Sequence, residues 1–198
     1  MTAVTRGDDR VRAAFDAVQR EDFLPSAERR YAADDRPLPI GPSQTNSQPS
    51  SVRTMLELLV VRAGDTVLDV GSGSGWTTAL LGHLVGPEGR VVGVEVVERL
   101  AVWGRSNVEA YGMGWVSVQQ ADPDVLGLPS QAPFDRILVS AESRTLPAEL
   151  VDQLTPEGRM VVPVHGRLSV VQRHRDREPV VRQVGHYRFV PLRRSERA

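Results

Sequence analysis

The chain has 198 residues, 40% of them hydrophobic and 25% charged, which suits one domain of ordinary globular composition with a sizeable core. Its formal net charge of −1 argues against a broad nucleic-acid-binding surface. All 24 basic residues are arginine and cysteine is absent, which excludes lysine Schiff bases, disulfides, thiolate metal sites and cysteine nucleophiles. No run of about 18 apolar residues is present to span a membrane as a helix. The start, MTAVTRGDDRVRAAF, lacks the apolar stretch of a secretory signal. The expectation is a soluble cytoplasmic protein with neither membrane nor nucleic acid as a partner.

In chain order, residues 10–18 (RVRAAFDAV) place Val11, Ala14, Phe15 and Val18 at i, i+3, i+4 and i+7, the spacing of an amphipathic helix. Proline-containing turns follow as far as Pro49. Val52, Met55, Leu56 and Leu59 then share one face of a helix predicted over 52–61. TVLDV (66–70) is a short apolar, β-branched run that reads as a buried strand. It enters GSGSG (71–75) directly and continues as a helix over 76–85. A second buried strand is predicted at 90–96, followed by a helix carrying Leu100, Trp103 and Tyr111 and stopped by Gly112. Further strands are predicted at 116–120, 135–141 and 158–164, with a helix near 147–154. From Leu168 onward LSVVQRH and PVVRQVGHYRFVPL read as antiparallel strands joined near 176–179. Alternating strands and helices imply an α/β fold, a mostly parallel sheet wound on both faces with antiparallel C-terminal strands. No internal repeat or boundary divides the chain. Residues 1–198 are expected to form a single domain, with 1–50 as an N-terminal extension packed on it.

VLDVGSGSG (67–75) carries the strongest local signal. A strand running into a glycine-rich turn and then a helix lets backbone approach a ligand closely and presents free N–H groups to it. Glu95 lies 20 residues beyond Gly75 at the end of the second strand, where a carboxylate can accept hydrogen bonds from both ribose hydroxyls of a nucleotide. Two cofactors compete on this evidence. A dinucleotide fingerprint needs G-x-G-x-x-G, but Trp76 stands where the third glycine would be. The alternative, G-x-G-x-G after a VLDV strand, resembles the first motif of class I S-adenosylmethionine-dependent methyltransferases. Asp122, after the third strand of the series, sits on the carboxyl edge where such sheets bind ligands and could accept from an adenine amino group.

Further segments carry a resemblance to a family. REDFLP (20–25), YAADDRPLPIG (31–41), QTNSQP (44–49), VLDVGSGSG, APFDRILVSA (132–141), LVDQLTPEGRMVVPV (150–164) and YRFVPL (187–192) occur in this order. Together, over about residues 10–192, they resemble the protein-L-isoaspartate (D-aspartate) O-methyltransferase family. The DRPLPIG and QTxSQP segments are far more specific than the glycine motif. The resemblance implies a Rossmann-like class I methyltransferase fold with S-adenosyl-L-methionine as cofactor. It implies methylation of the α-carboxylate of isoaspartyl residues in damaged proteins or peptides, which begins their repair. By position it implies that Gln44, Thr45, Asn46 and Ser47 border the methyl donor and substrate, with Ser47 as the active-site serine. Gly71, Gly73 and Gly75 match the cofactor loop, Glu95 the ribose acid and Asp122 the adenine-side acid. No metal is implied. A carboxylate is already ionised at pH 7, so its methylation needs no general base.

The chain also departs from the family pattern. Asn46 stands where isoleucine is usual, Ser50-Ser51 replace a bulkier pair, and Pro42-Ser43 precede the QT. Pro123, beside Asp122, has no N–H to donate. Glu142 enters the loop after the fourth strand, where it would repel an incoming carboxylate if it faced the cleft, with Arg144 able to compensate. HGRLSVV lacks an expected glutamine. Two other readings therefore stand beside repair: a divergent carboxylate methyltransferase, and a cofactor-binding homologue with weak or no catalysis. His83, His165, His174 and His186 lack metal-ligand spacing; His165 is a candidate for touching substrate. RHRDRE (173–178) reads as a solvated turn, Trp76 as packing on the cofactor loop, and RRSER as a frayed tail. A monomer is the expected state.

Overall fold

Helix α1 (Val4–Ala17) puts Val11 and Ala14 against the core, and Val18 just beyond its end is buried with them, as the periodicity predicts. The structure, a computed structural model, describes residues 4–41 and 43–192; the RRSER tail and Pro42 lie outside these. A 3-10 turn over Arg20–Phe23 buries Phe23 and Arg20. The segment expected to hold only turns contains a short antiparallel hairpin, β1 (Leu38–Gly41) with β2 (Gln44–Asn46), in which Leu38 faces Asn46 and Pro39 faces Thr45. Helix α2 (Pro49–Leu59) starts three residues earlier than its apolar spacing indicates. Proline suits that first position because its fixed φ is already helical, and the Asp35 carboxylate caps the end by accepting from Ser50 N at 2.9 Å.

Strand β3 (Thr66–Val70) leads through the glycine turn into α3 (Trp76–Val85). Then follow β4 (Arg90–Glu95), α4 (Glu98–Glu109), β5 (Val116–Gln120), β6 (Phe134–Val139), α5 (Ala148–Asp152) and β7 (Leu154–Val164). The last strands are β8 (Arg167–Gln172) and β9 (Val180–Val184). The large sheet has the order β5-β4-β3-β6-β7-β8-β9. Neighbours from β5 to β7 are parallel, while β7–β8 and β8–β9 are antiparallel. This is the expected mostly parallel sheet with an antiparallel end. Alternation along each strand splits the core in two: Val67, Leu138 and Val161 meet α1, α2 and α3, while Leu68, Ile137 and Met160 meet Leu150 and Val151 of α5.

Two boundaries differ from the sequence reading. Strand β7 begins at Leu154, and its pairing with β6 slips between Phe134 and Arg136, where Glu157 takes a φ of 74°. The final strand, expected to run to 192, leaves the sheet after Val184. Gly185 (φ 59°) redirects the chain. The segment beyond it returns over the carboxyl edge of the sheet, held by Tyr187 N to Gly166 O and by reciprocal bonds between Glu142 and Val190 and Leu192.

Candidate active site

From β3 the chain winds outward through β4 to β5, then jumps back to lay β6 on the other side of β3. Loops leaving β3 and β6 therefore diverge at the carboxyl edge, and the crevice between them is where doubly wound sheets bind ligands. The residues lining it follow from this topology: Gly71 and Gly73 after β3, Glu95 and Val96 at β4, Ala121 to Pro123 after β5, and Ser140 and Ala141 after β6. Ile40, Gln44 and Thr45 of the hairpin close one side, and Val190, Pro191 and Leu192 the other.

The glycine loop takes a shape that L side chains disfavour, with φ of 78°, 55° and 92° at Gly71, Gly73 and Gly75. Gly71 N and Ser72 N donate back to Val94 O at 2.9 and 3.1 Å. A Cβ at Gly75 would stand 2.9 Å from Gly104 O, so loop and α4 approach backbone to backbone. The Glu95 carboxylate braces the arrangement, accepting from Gly73 N and Val97 N at 2.9 Å each. Each of its oxygens keeps a further lone pair for a ligand. The Ser72 hydroxyl is buried beside the loop without a hydrogen-bond partner, a polar group whose burial calls for one.

Beneath the loop lies Asp69, wholly buried in β3. Burial pushes its pKa up, and it accepts from the hydroxyls of Thr77 (2.6 Å), Thr78 (2.7 Å) and Ser140 (3.1 Å). One carboxylate thereby ties the start of α3 to the loop after β6. Asp122 lies on the crevice rim, exposed, with Oδ1 accepting from Asp124 N at 2.9 Å.

The hairpin is held differently. Arg20 is 7% exposed and spends its guanidinium on one structure. Nε donates to Asn46 Oδ1 (2.8 Å), and the terminal nitrogens donate to the carbonyls of Ala32, Asp34, Arg36, Asn46 and Ser47 at 2.8–3.3 Å. Its face lies 5.4 Å from the centre of the Trp76 ring. Burial lowers its pKa to about 10, which leaves it charged at neutral pH. Asn46 is buried too, and its amide reaches Ser74 Oγ at 3.4 Å. The unusual asparagine thus links hairpin, Arg20 and glycine loop.

A second cleft, of about 680 Å³, opens beside the first. Pro37, Ser47, Gln48, Ser50 and Ser51 form one wall; His186 to Pro191 form the other. A third, narrow space between the two is lined by Asn46, Ser47, the glycine loop and Trp76. Thr45 and Ser140 line all three spaces, and Ser47 the last two. Those three hydroxyls mark the junction between a nucleotide-sized crevice and a wider cleft.

Of the residues named from sequence, Gln44, Thr45, Gly71, Gly73, Glu95 and Asp122 line the first crevice, and Asn46 and Ser47 the junction. Gly75 lies behind, as the N-cap of α3. Glu142 does not face either cleft; its carboxylate accepts from Gly166 N at 2.8 Å, so the anticipated repulsion does not arise. His165 (φ 50°) is exposed on the β7–β8 turn and away from the clefts, whereas His186 lines the second. Trp76 packs below the loop, edge to face with Phe15. Arg20, Asp69 and Ser140 were not singled out. Asp69 carried a signal, an acid inside an apolar strand. Arg20 carried none, because most of its partners are backbone carbonyls.

The model of the protein-L-isoaspartate(D-aspartate) O-methyltransferase family matches residues 3–197. A protein-L-isoaspartate O-methyltransferase 2 from Nitrosococcus oceani is 42% identical over 93% of this chain and 84% of its own. A protein-L-isoaspartate O-methyltransferase from Methanopyrus kandleri is 43% identical over 93% and 83%. Among solved structures, a protein-L-isoaspartate O-methyltransferase superposes with a TM-score of 0.84 at 27% identity over 94% of this chain, which spans 62% of that longer one. A Plasmodium falciparum chain described as a protein-L-isoaspartate O-methyltransferase in complex with S-adenosyl-L-homocysteine shares the fold, with a TM-score of 0.80 at 22% identity over 96% and 94%. With a family match over almost its whole length and relatives above 40% identity, the chain belongs to the protein-L-isoaspartate(D-aspartate) O-methyltransferase family.

Proposed function

We propose that the protein is an S-adenosyl-L-methionine-dependent carboxyl O-methyltransferase that esterifies the α-carboxylate of L-isoaspartyl residues in damaged proteins or peptides. The observation that carries this reading is the junction of hydroxyls: Thr45 and Ser140 line both a crevice at the switch point of the sheet and a wider cleft, and Ser47 lines the wider cleft and the narrow space between them. The first crevice fits the donor. Glu95 has lone pairs for ribose hydroxyls, Asp122 stands at the rim for the adenine, and the positive-φ glycines bring backbone to the methionine part. When bound, the donor supplies a methyl group on a positively charged sulfur.

The chain's own contribution is orientation and exclusion of water. The acceptor carboxylate arrives ionised and needs no base. Neutral hydroxyls at Thr45 and Ser47 can hold one of its oxygens without the tight ion pair that would blunt its nucleophilicity. Ser140, fixed by Asp69 at 3.1 Å, flanks the same point. Arg20 sets the backbone on which Ser47 stands by binding its carbonyl at 2.9 Å. Val190 and Pro191 close over both spaces. The reading has residues 1–198 acting as one domain and one monomer in the cytoplasm, with 1–50 carrying the acceptor loop. Among the described residues no helix is long and apolar enough to cross a membrane.

Incubation with labelled donor and an isoaspartyl peptide beside its normal aspartyl twin tests the proposal. Base-labile label on the isoaspartyl peptide alone is the expected result. Label on neither peptide, with the donor bound in calorimetry, contradicts it.

A further inference from the structure

The two walls of the acceptor cleft differ in charge, and this bears on which peptides enter it. The wall from Ser47 to Ser51 is neutral and small. It is also the N-cap and first turn of α2, the end at which a helix dipole is positive. The facing wall carries Arg188 and His186, both exposed, and among the described residues the lining contains no acidic side chain. Among the described residues Arg188 takes part in no ion pair. Asp35, behind the first wall, already accepts from Ser50 N at 2.9 Å and Gln48 Nε2 at 3.0 Å, and Glu142, whose backbone pairs with Val190 and Leu192, turns its carboxylate to Gly166 N at 2.8 Å. A reacting carboxylate held at Thr45 and Ser47 leaves the rest of its peptide to run through this cleft. Its neighbours then pass the wall formed by residues 186–189.

We infer that Arg188 is a specificity-determining residue that makes the enzyme prefer isoaspartyl sites flanked by an acidic side chain over those flanked by a basic one. The inference rests on the isoaspartyl reading above and narrows its substrate class. The pairing is solvent-exposed, where charge pairs contribute about 0.2–1 kcal/mol. A preference of about 1.4- to fivefold in kcat/KM is therefore expected at low salt, and it should shrink as salt screens exposed charges over a few ångströms.

The test uses matched isoaspartyl peptides with Glu, Gln or Lys at the positions on either side, assayed at about 20 mM and about 0.5 M salt, conditions chosen for their Debye lengths. The expected order of kcat/KM is Glu, then Gln, then Lys on at least one side, carried by KM and compressed toward unity at high salt. In Arg188→Gln the Glu-to-Lys ratio falls toward one, while Arg188→Lys keeps most of it. The wild-type salt dependence stands even if the glutamine variant folds poorly. Methylation of all peptides with no ranking, or with Lys preferred, overturns the inference and leaves the isoaspartyl reading intact. Absence of label from every isoaspartyl peptide overturns both.

Discussion

The glycine loop at 71–75 and the hairpin at 38–47 face each other across the junction, yet they hold their shapes by opposite means. The loop is shaped from within: three positive φ values, two N–H bonds to the Val94 carbonyl of β4 and a single carboxylate at Glu95 leave it little freedom. The hairpin has one short pairing ladder and depends on Arg20, which lies 26 residues before Asn46 and reaches five carbonyls and one side-chain amide. Donor binding and acceptor positioning thus rest chiefly on supports of different kind, joined where the Asn46 amide reaches Ser74 Oγ at 3.4 Å. Each support can be broken separately.

The largest effect is expected at Gly75. Alanine there must adopt a φ near 92° and places its Cβ 2.9 Å from Gly104 O and 3.0 Å from Val108. Strain of about 1–3 kcal/mol and overpacking of similar size add to a loss of about 2–6 kcal/mol. Urea denaturation should show the drop, and the surviving folded protein should bind donor weakly.

Arg20→Ala comes next. It removes the hairpin's anchor and leaves the buried Asn46 carbonyl and four part-buried carbonyls without this donor, a loss of about 2–3 kcal/mol. Partial protease digestion should locate the first cuts between residues 26 and 48, with the glycine loop protected. Uniform digestion along the chain would contradict the claim that Arg20 chiefly serves the hairpin.

Asn46→Ile restores the family's usual residue and is smaller in effect. It deprives Arg20 Nε of its 2.8 Å acceptor, an orphaned buried donor costing about 1–3 kcal/mol. A melting curve checks this; an unchanged midpoint would mean that the Asn46 link to Arg20 is dispensable.

Smallest is the pH effect at Asp35. Hydrogen bonds from Gln48 and Ser50 hold its carboxyl below the usual range. The stabilisation is therefore present above the usual carboxylate pKa near 4 and is lost as the pH falls through the lower folded value. Wild type should melt slightly above Asp35→Asn at pH 6, and the gap should narrow and close as the pH falls below the ordinary carboxylate value.

These supports were unequally legible in the sequence. The order of strands and helices, the glycine turn and the carboxyl-edge position of Glu95 and Asp122 follow from periodicity and spacing, because strand burial and positive φ constrain residue type locally. The β1–β2 hairpin escaped notice because four prolines in 35–52 read as turns and its ladder is only three or four residues long. Departure of the chain from the sheet after Val184 escaped for a related reason: alternation in PVVRQVGHYRFVPL fits a strand, while Gly185 and tertiary bonds to Gly166 and Glu142 decide otherwise. Asn46 was visible as an anomaly but not as a contact. Its meaning depends on Arg20, whose choice of backbone carbonyls leaves no trace in residue identity.

Separation of the two supports is tested most directly at Ser47, where the hairpin meets the reaction. Calorimetric titration of S-adenosyl-L-methionine into Ser47→Ala, paired with single-turnover methylation of an isoaspartyl peptide, reads both halves at once. Donor affinity is predicted to stay within about twofold, while the rate falls about 10- to 100-fold through loss of an orienting hydrogen-bond donor. An unchanged rate, or a donor affinity that weakens in step with the rate, would contradict the account.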